Sequence, residues 1–459
     1  MFSHDLHPTL SGKELVVAAL RHEPLPATPW VPFAGIHAGR LKGYSALEVL
    51  TDGGKLIEAL LAVNQVYDPD GQPVLFDLQI EAEILGCPLA WAQSAPPAVA
   101  SHPLETRLEL PHKLPEPGDG RLPLALATMR AMKRQVGDRT ALYGLICGPM
   151  TLASHLRGTE IFMDTFDNPD FLHALIAYCC EVNLRMAELY TEAGMDVIAV
   201  VDPVVSQISP RHFKGFLLEP LRRIFAAIRQ AGAFSSFFVC GDATKNMEAM
   251  CQTGPDSISI DENIDLPTAK EITDRYNLAI GGNIPLTTRM LLGTQQDNMK
   301  FVVDLLDRLG GGVPRNFILA PGCDMPYETP AENTVGVLQA VRHPENTRQM
   351  LANYESRTFD IEIELPDYAR LPKPLVEVFT LDSDSCAACA YMLDAARRAV
   401  AEAGDAELVE YKFTKPENVA RVIKLGVKNL PSLYVNGELK YSSIIPGNKE
   451  LVEAIRKVQ

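Results

Sequence analysis

Short β-branched or aromatic runs alternate with amphipathic stretches along most of the chain, and no other feature narrows the fold as far. The runs at 141–146, 195–201, 233–240, 256–261, 278–283 and 317–323 are each followed by a segment of helical character, at 151–166, 209–232, 244–254, 266–276, 285–293 and 329–343. Repeated βα units put helices over a parallel sheet. Across roughly 300 residues they suffice for an eight-stranded α/β barrel, whose working residues sit where strands run into the following loops. Asp202, Cys240, Asn283 and Cys323 stand at such strand ends. An open doubly wound sheet is the alternative, but no Gly-rich phosphate loop follows an early strand.

The alternation breaks at 356–374, where three prolines fall in the second half and helical period is lost. Residues 1–355 are read as the barrel, 356–372 as a linker and 373–459 as a second domain. The second domain reads strand (375–381), helix from Cys386, strand (407–413), helix (417–426), a hairpin over 430–438 turning at Asn436-Gly437, and a last helix (448–458). Two or three domains suit a length of 459 residues.

Lys and Arg number 42 against 58 Asp and Glu, a net charge of −16. Nucleic-acid binding draws most of its affinity from cations on phosphates, so this balance argues against such a partner. No stretch approaches the ~18 apolar residues of a membrane helix. The N-terminal segment has neither a basic region nor a continuous apolar one, and the chain reads as cytoplasmic. Nine cysteines, an odd number, suggest reduced thiols with some metal or redox use rather than a disulfide framework.

Cys386-Ala387-Ala388-Cys389 opens a helix directly after a strand and loop. At a helix N-terminus the peptide dipoles and free N–H groups stabilise a thiolate, which makes Cys386 the nucleophile and Cys389 the resolving partner. Half of a zinc site is the other reading, but the tail has no second Cys/His pair. This domain resembles thioredoxin and glutaredoxin. The segment Val427-Lys428-Asn429-Leu430-Pro431-Ser432 stands where that family places a cis-proline beside its active sulfurs, and the Ala-Ala dipeptide departs from the common members.

The larger domain resembles the uroporphyrinogen decarboxylase superfamily, with its methylcobamide:thiol methyltransferase branch, over about residues 12 to 345. The resemblance is carried by 76–87, by Gly148-Pro149-Met150-Thr151, by Ala193-Gly194-Met195-Asp196 leading to Asp202-Pro203, and by Val239-Cys240-Gly241-Asp242. Gly281-Gly282-Asn283 and Pro321-Gly322-Cys323-Asp324 complete it. It implies a TIM (β/α)8 barrel with its site at the C-terminal mouth. Asp77 matches the acid of the decarboxylases, and His37-Ala38-Gly39-Arg40 keeps one of two arginines. His155 stands in place of their tyrosine and Cys323 in place of their histidine, so a tetrapyrrole carboxylate lacks partners.

The methyltransferase branch uses His-x-Cys and a later Pro-Gly-Cys to hold zinc. Cys240 and Cys323 fit both cysteine positions, while Phe238 occupies the histidine place. Thiolate-bound zinc with an open position would hold an acceptor thiol as thiolate. His155, Glu81 and Glu83 are candidates for a third ligand, with Asp202 more remote; Asp77 or the two glutamates would orient substrate. Arg40 and Asn283 are candidate substrate contacts. The expected activity is methyl transfer from a corrinoid, alone or on a partner protein, to a small thiol by a monomer or homodimer. The appended domain would keep the site thiols reduced or handle a disulfide acceptor. The alternatives are a thiol–disulfide oxidoreductase whose barrel binds a small molecule, a barrel that only scaffolds a redox tail, and a decarboxylase-type lyase.

Overall fold

The computed structural model describes residues 10–356, 361–383 and 387–458. Seven parallel strands, β1 (Gly71–Leu75), β2 (Ala141–Cys147), β3 (Val197–Val201), β4 (Phe234–Val239), β5 (Ser257–Ile260), β6 (Ala279–Ile284) and β7 (Phe317–Pro321), lie side by side in chain order. One extended segment joins their two outer edges. Val31 N–H donates to Leu319 O and Leu319 N–H to Pro29 O, each at 2.9 Å, while Asp70 N–H donates to Trp30 O at 2.9 Å. The segment around Trp30 thus takes the eighth position and closes the barrel, leaving neither β1 nor β7 an open edge.

Two of the eight positions are not among the runs that stand out in sequence. Gly71-Gln72-Pro73 and Pro29-Trp30-Val31-Pro32 carry the residues that usually mark turns, and the barrel's closure holds them extended.

Alternate strand residues point inward and fill the lumen. Val31, Phe33, Phe76, Tyr143, Leu145, Ala199, Val201, Phe238, Ile318 and Ala320 form one cluster, sealed at the N-terminal end by Val16, Ala19 and Leu20 of α1 (Gly12–Leu20). Ser11 begins α1 with a capping box to Glu14. The mouth is framed by α2 (Ile80–Ile84) after β1, by α3 (Leu122–Val136), and by α4 (Pro149–Arg157) after β2. The amphipathic stretch 151–166 is not one helix. Gly158, at φ +71°, ends α4, and a second helix, Glu160–Asp167, starts beyond it.

The C-terminal domain is a mixed sheet in the order β9-β8-β10-β11, with β8 (Leu375–Thr380), β9 (Glu407–Lys412), β10 (Ser432–Val435) and β11 (Glu438–Ser442). β8 runs parallel to β9 and antiparallel to β10. Asn436 (φ 48°) and Gly437 (φ 74°) form the two-residue turn into β11, which needs positive φ at both positions and so favours Asn-Gly. Helix α5 (Ala387–Ala403) packs Met392, Ala396 and Ala399 against Leu451, Val452 and Ile455 of the last helix, Asn448–Arg456.

Helix α5 also meets the barrel. The Tyr391 hydroxyl donates to Ser154 Oγ on α4 at 3.0 Å, with its ring beside His102 and Phe162, and Arg398 donates to Thr159 Oγ1 at 2.7 Å. Among the described residues, no helix is long and apolar enough to cross a membrane.

Phe238 is fully buried against Phe33 and Phe76, with ring centroids 4.9 and 6.1 Å away. Truncating a packed aromatic costs about 3–5 kcal/mol. Phe238→Ala is expected to lower the barrel's thermal midpoint by several degrees in scanning calorimetry. An unchanged midpoint would mean that this residue does not support the lumen.

Candidate active site

The C-terminal ends of the strands bring together residues far apart in sequence. Cys240 follows β4 and Cys323 follows β7; the two are joined as a disulfide, with 6.0 Å between their Cα atoms across 83 residues of sequence. Both pack on the inner cluster, above the floor made by Phe33, Phe76 and Phe238. Gly241, at φ +90°, turns the chain directly after Cys240, and its N–H donates to Asp261 Oδ2 at 2.8 Å.

Acids ring this mouth, Asp77 and Glu81 buried and Glu83, Glu262 and Asp324 half-buried. Asp77 is ion-paired with Arg121 and accepts Gln79 N–H at 2.9 Å. Arg121 also binds Glu83 at 2.7 Å and lies over the Trp91 ring. Glu81 accepts Cys147 N–H at 2.9 Å, and burial pushes its carboxyl up to about 8. Burial likewise lifts Asp324, bonded to Gly35 N–H at 2.7 Å, and Glu262, which accepts Leu286 N–H, each to about 8. Burial thus favours the neutral form of all three carboxyls, and Asp77 is ion-paired with Arg121. The mouth therefore carries far less negative charge than its acid count suggests.

Several residues singled out in sequence hold the frame. Asp202 accepts Met150 N–H (3.0 Å), Thr151 N–H (2.8 Å) and Thr151 Oγ1–H (2.6 Å), capping α4; burial raises it to about 6. Gly148 makes room for this, since a Cβ there would lie 2.4 Å from Asp202 Cβ. Asn283 donates to Asp261 O and Ile264 O, at 3.0 and 2.7 Å. Arg40 pairs with Glu328 at 3.0 Å, both half exposed.

His155 is buried on α4, with Nδ1 3.8 Å from Cys147 Sγ, and burial lowers its pKa to about 3. It also lines a cavity of about 430 Å³ between barrel and tail, with Gln79, His102, Tyr391 and Arg397. In the tail, Cys389 is buried and accepts Leu381 N–H at 3.3 Å, and the buried Pro431 follows a cis peptide bond. Cys386 lies outside the described residues.

Zinc, implied by the family resemblance, does not fit these residues as they are arranged. Two sulfurs bonded to each other offer no thiolate to a metal, and Phe238 packs into the lumen instead of supplying a donor. His155 faces Cys147, Glu81 faces a backbone amide, Glu83 faces Arg121, and Asp202 caps a helix. Among the described residues, no group of three or more His, Cys, Asp or Glu is arranged to hold an ion.

Two residues of this site were not evident in sequence. Arg121 stands 44 positions from Asp77 with no local motif; the only signal was that acids in an apolar run need a cation. Tyr391 reads as an ordinary helix residue, and its hydroxyl found its partner across a domain boundary.

Residues 11–344 match the family described as Uroporphyrinogen decarboxylase (URO-D), and the chain belongs to that family. Residues 375–456 match the thioredoxin domain. Among curated proteins, the chain is similar to the methylcobamide:CoM methyltransferase MtbA of Methanosarcina acetivorans, 27% identical over 339 residues, covering 72% of this chain and 97% of the relative. It is similar to the methylcobamide:CoM methyltransferase MtaA of Methanosarcina barkeri, 29% identical over 272 residues, 57% of this chain and 76% of the relative. It is also similar to the uroporphyrinogen decarboxylase of Nostoc punctiforme, 25% identical over 285 residues, 60% and 79%. In fold it matches a solved methyltransferase from Methanosarcina mazei, with a TM-score of 0.67 and 24% identity over 72% of this chain and 98% of that one.

Glu81 holds a proton in the folded chain up to about pH 8 that the unfolded chain releases near 4.5. Its contribution to stability is full below that lower value and is lost as pH rises toward 8. Glu81→Gln is expected to gain on the wild type between pH 5 and 8, by up to about 1.4 kcal/mol per pH unit, read from urea midpoints. Parallel pH curves for the two proteins would show that Glu81 is ionised throughout.

Proposed function

We propose that the chain is a corrinoid-linked methyltransferase that carries a methyl group from a methylcobamide to a small thiol at the mouth of the barrel, with an appended redox domain. The barrel unit is residues 1–355, the linker 356–372 and the redox unit 373–459. The observation that carries this reading is the meeting of Cys240 and Cys323 at the mouth of a barrel that belongs to the URO-D family. The similarity to methylcobamide:CoM methyltransferases supports it. A corrinoid protein is the proposed partner, in the cytoplasm, for a monomer or homodimer.

The residues at the mouth suit this chemistry when the cysteine pair is reduced. Methyl transfer to a thiol needs a sulfur nucleophile, and a sulfur nucleophile reacts as thiolate. Burial that favours neutral Glu81, Glu262 and Asp324, together with the Asp77–Arg121 pair, reduces the carboxylate charge that an incoming thiolate meets. The Phe33, Phe76 and Phe238 floor keeps water from below the sulfurs, which strengthens every polar interaction above it. Asp202 holds α4, and with it His155, in place by capping. No step is routed through zinc, since among the described residues no group of three or more His, Cys, Asp or Glu is arranged to hold an ion.

Decarboxylation of a tetrapyrrole fits less well. Its acid position, Asp77, is tied to Arg121, and Arg40 is engaged with Glu328. The bonded sulfurs favour a second reading, in which the barrel exchanges disulfides with a small molecule.

With fully reduced protein kept free of oxygen, methylcobalamin and a panel of small thiols, thiol-dependent loss of methylcobalamin absorbance is expected. Cys240→Ser or Cys323→Ser should slow it by about two orders of magnitude. Full activity in both variants, or no transfer to any thiol by the wild type, would overturn the methyltransferase reading.

A further inference from the structure

Beside α4, a cavity of about 430 Å³ opens between the barrel and the C-terminal domain. Small-molecule sites favour domain boundaries and occupy clefts of about 300–1,000 Å³. Both walls of this one are held in place. On the barrel side, Leu104 N–H donates to Leu156 O at 2.8 Å. The Arg157 guanidinium, paired with Asp164 at 2.6 Å, donates to Leu104 O and Glu105 O at 2.7 and 2.9 Å. On the other side, helix α5 is held by Tyr391 on Ser154 and by Arg398 on Thr159, and Arg398 also pairs with Asp394 at 3.5 Å.

Three charged side chains on these walls are left over. Arg397 of α5 and Glu105 of the barrel are exposed, and Glu160 of the barrel is half-buried. Among the described residues, none of the three side chains has an ion-pair or hydrogen-bond partner. They carry opposite charges around one cavity and yet do not pair with one another. A simple anion there meets two carboxylates, and a simple cation leaves the guanidinium unanswered. A molecule that carries both charges satisfies all three.

We propose that this cavity binds a small zwitterion, a free amino acid or a short peptide, whose carboxylate pairs with Arg397 and whose ammonium pairs with Glu105 and Glu160. A guanidinium takes a carboxylate through two parallel N–H···O bonds, and an ammonium has three donors, enough for both glutamates. Neither Cys240 nor Cys323 lines the cavity, so the site is separate from the sulfur pair and does not depend on methyl transfer. Because its walls come from both domains, an occupant binds the docked arrangement and strengthens it by mass action.

Isothermal titration of the full wild-type chain tests this with the common L-amino acids and trialanine. Each is set beside its C-terminal amide, which lacks the carboxylate, and its N-acetyl form, which lacks the ammonium. At least one free zwitterion is expected to bind saturably and to raise the thermal midpoint, and its two capped forms should bind about tenfold more weakly or worse. Arg397→Gln should abolish the difference between the free compound and its amide. The double variant Glu105→Gln, Glu160→Gln should abolish the difference between the free compound and its N-acetyl form. All three side chains reach solvent without partners, so these variants keep the fold. Binding of amino acids without trialanine identifies a free amino acid as the ligand, and the reverse identifies a peptide. No saturable binding by any probe, or affinities for the best probe that both variants leave unchanged, overturns the proposal.

Discussion

Closure of the barrel by the segment around Trp30 is the constraint on which the rest depends. A parallel sheet of seven strands has two edges of unpaired amide and carbonyl groups, and burying either without partners costs more than a domain can spare. Bonds from Val31 and Leu319 on one side and Asp70 on the other satisfy both edges at once. Closure also fixes which residues face inward. Phe33, carried on the closing segment, then meets Phe76 and Phe238 from two other strands, and this floor determines where Cys240 and Cys323 sit.

The mouth shows how a chain rich in acids can build a site for a nucleophilic anion. Burial favours the neutral form of Glu81, Glu262 and Asp324, Arg121 pairs with Asp77, and Asp202 is used up by three donors of α4. Each acid thus has a structural account that leaves the sulfur pair as the groups not bound into the frame. A site that depends on two adjacent sulfurs is open to oxidation, which gives a physical reason for a dithiol domain on the same chain.

How much was legible in sequence differs by element. Six strand-and-helix units stood out because β-branched runs and amphipathic stretches declare themselves locally, and the Asn436-Gly437 hairpin did so for the same reason. The strands at 71–75 and around Trp30 did not, because their prolines and glycine resemble loops until a neighbouring edge holds them extended. Gly158 split a helix that periodicity alone ran together. Among site residues, the family pattern led to Cys240 and Cys323, but Asp202, Asn283 and His155 have partners that no spacing rule reveals.

By itself the sequence determined the βα repeat, the break in that repeat near residue 356 and the CxxC motif of the tail. Local propensity and side-chain chemistry are properties of neighbouring residues, so these survive into any fold the chain adopts. Only the tertiary structure decided that Phe238 serves the lumen, that Arg121 answers Asp77, that Cys240 meets Cys323, and that Tyr391 seats the redox helix on the barrel. Each of these is a contact between segments tens to hundreds of residues apart, created by closure and docking, and its energy exists only once both partners are buried together.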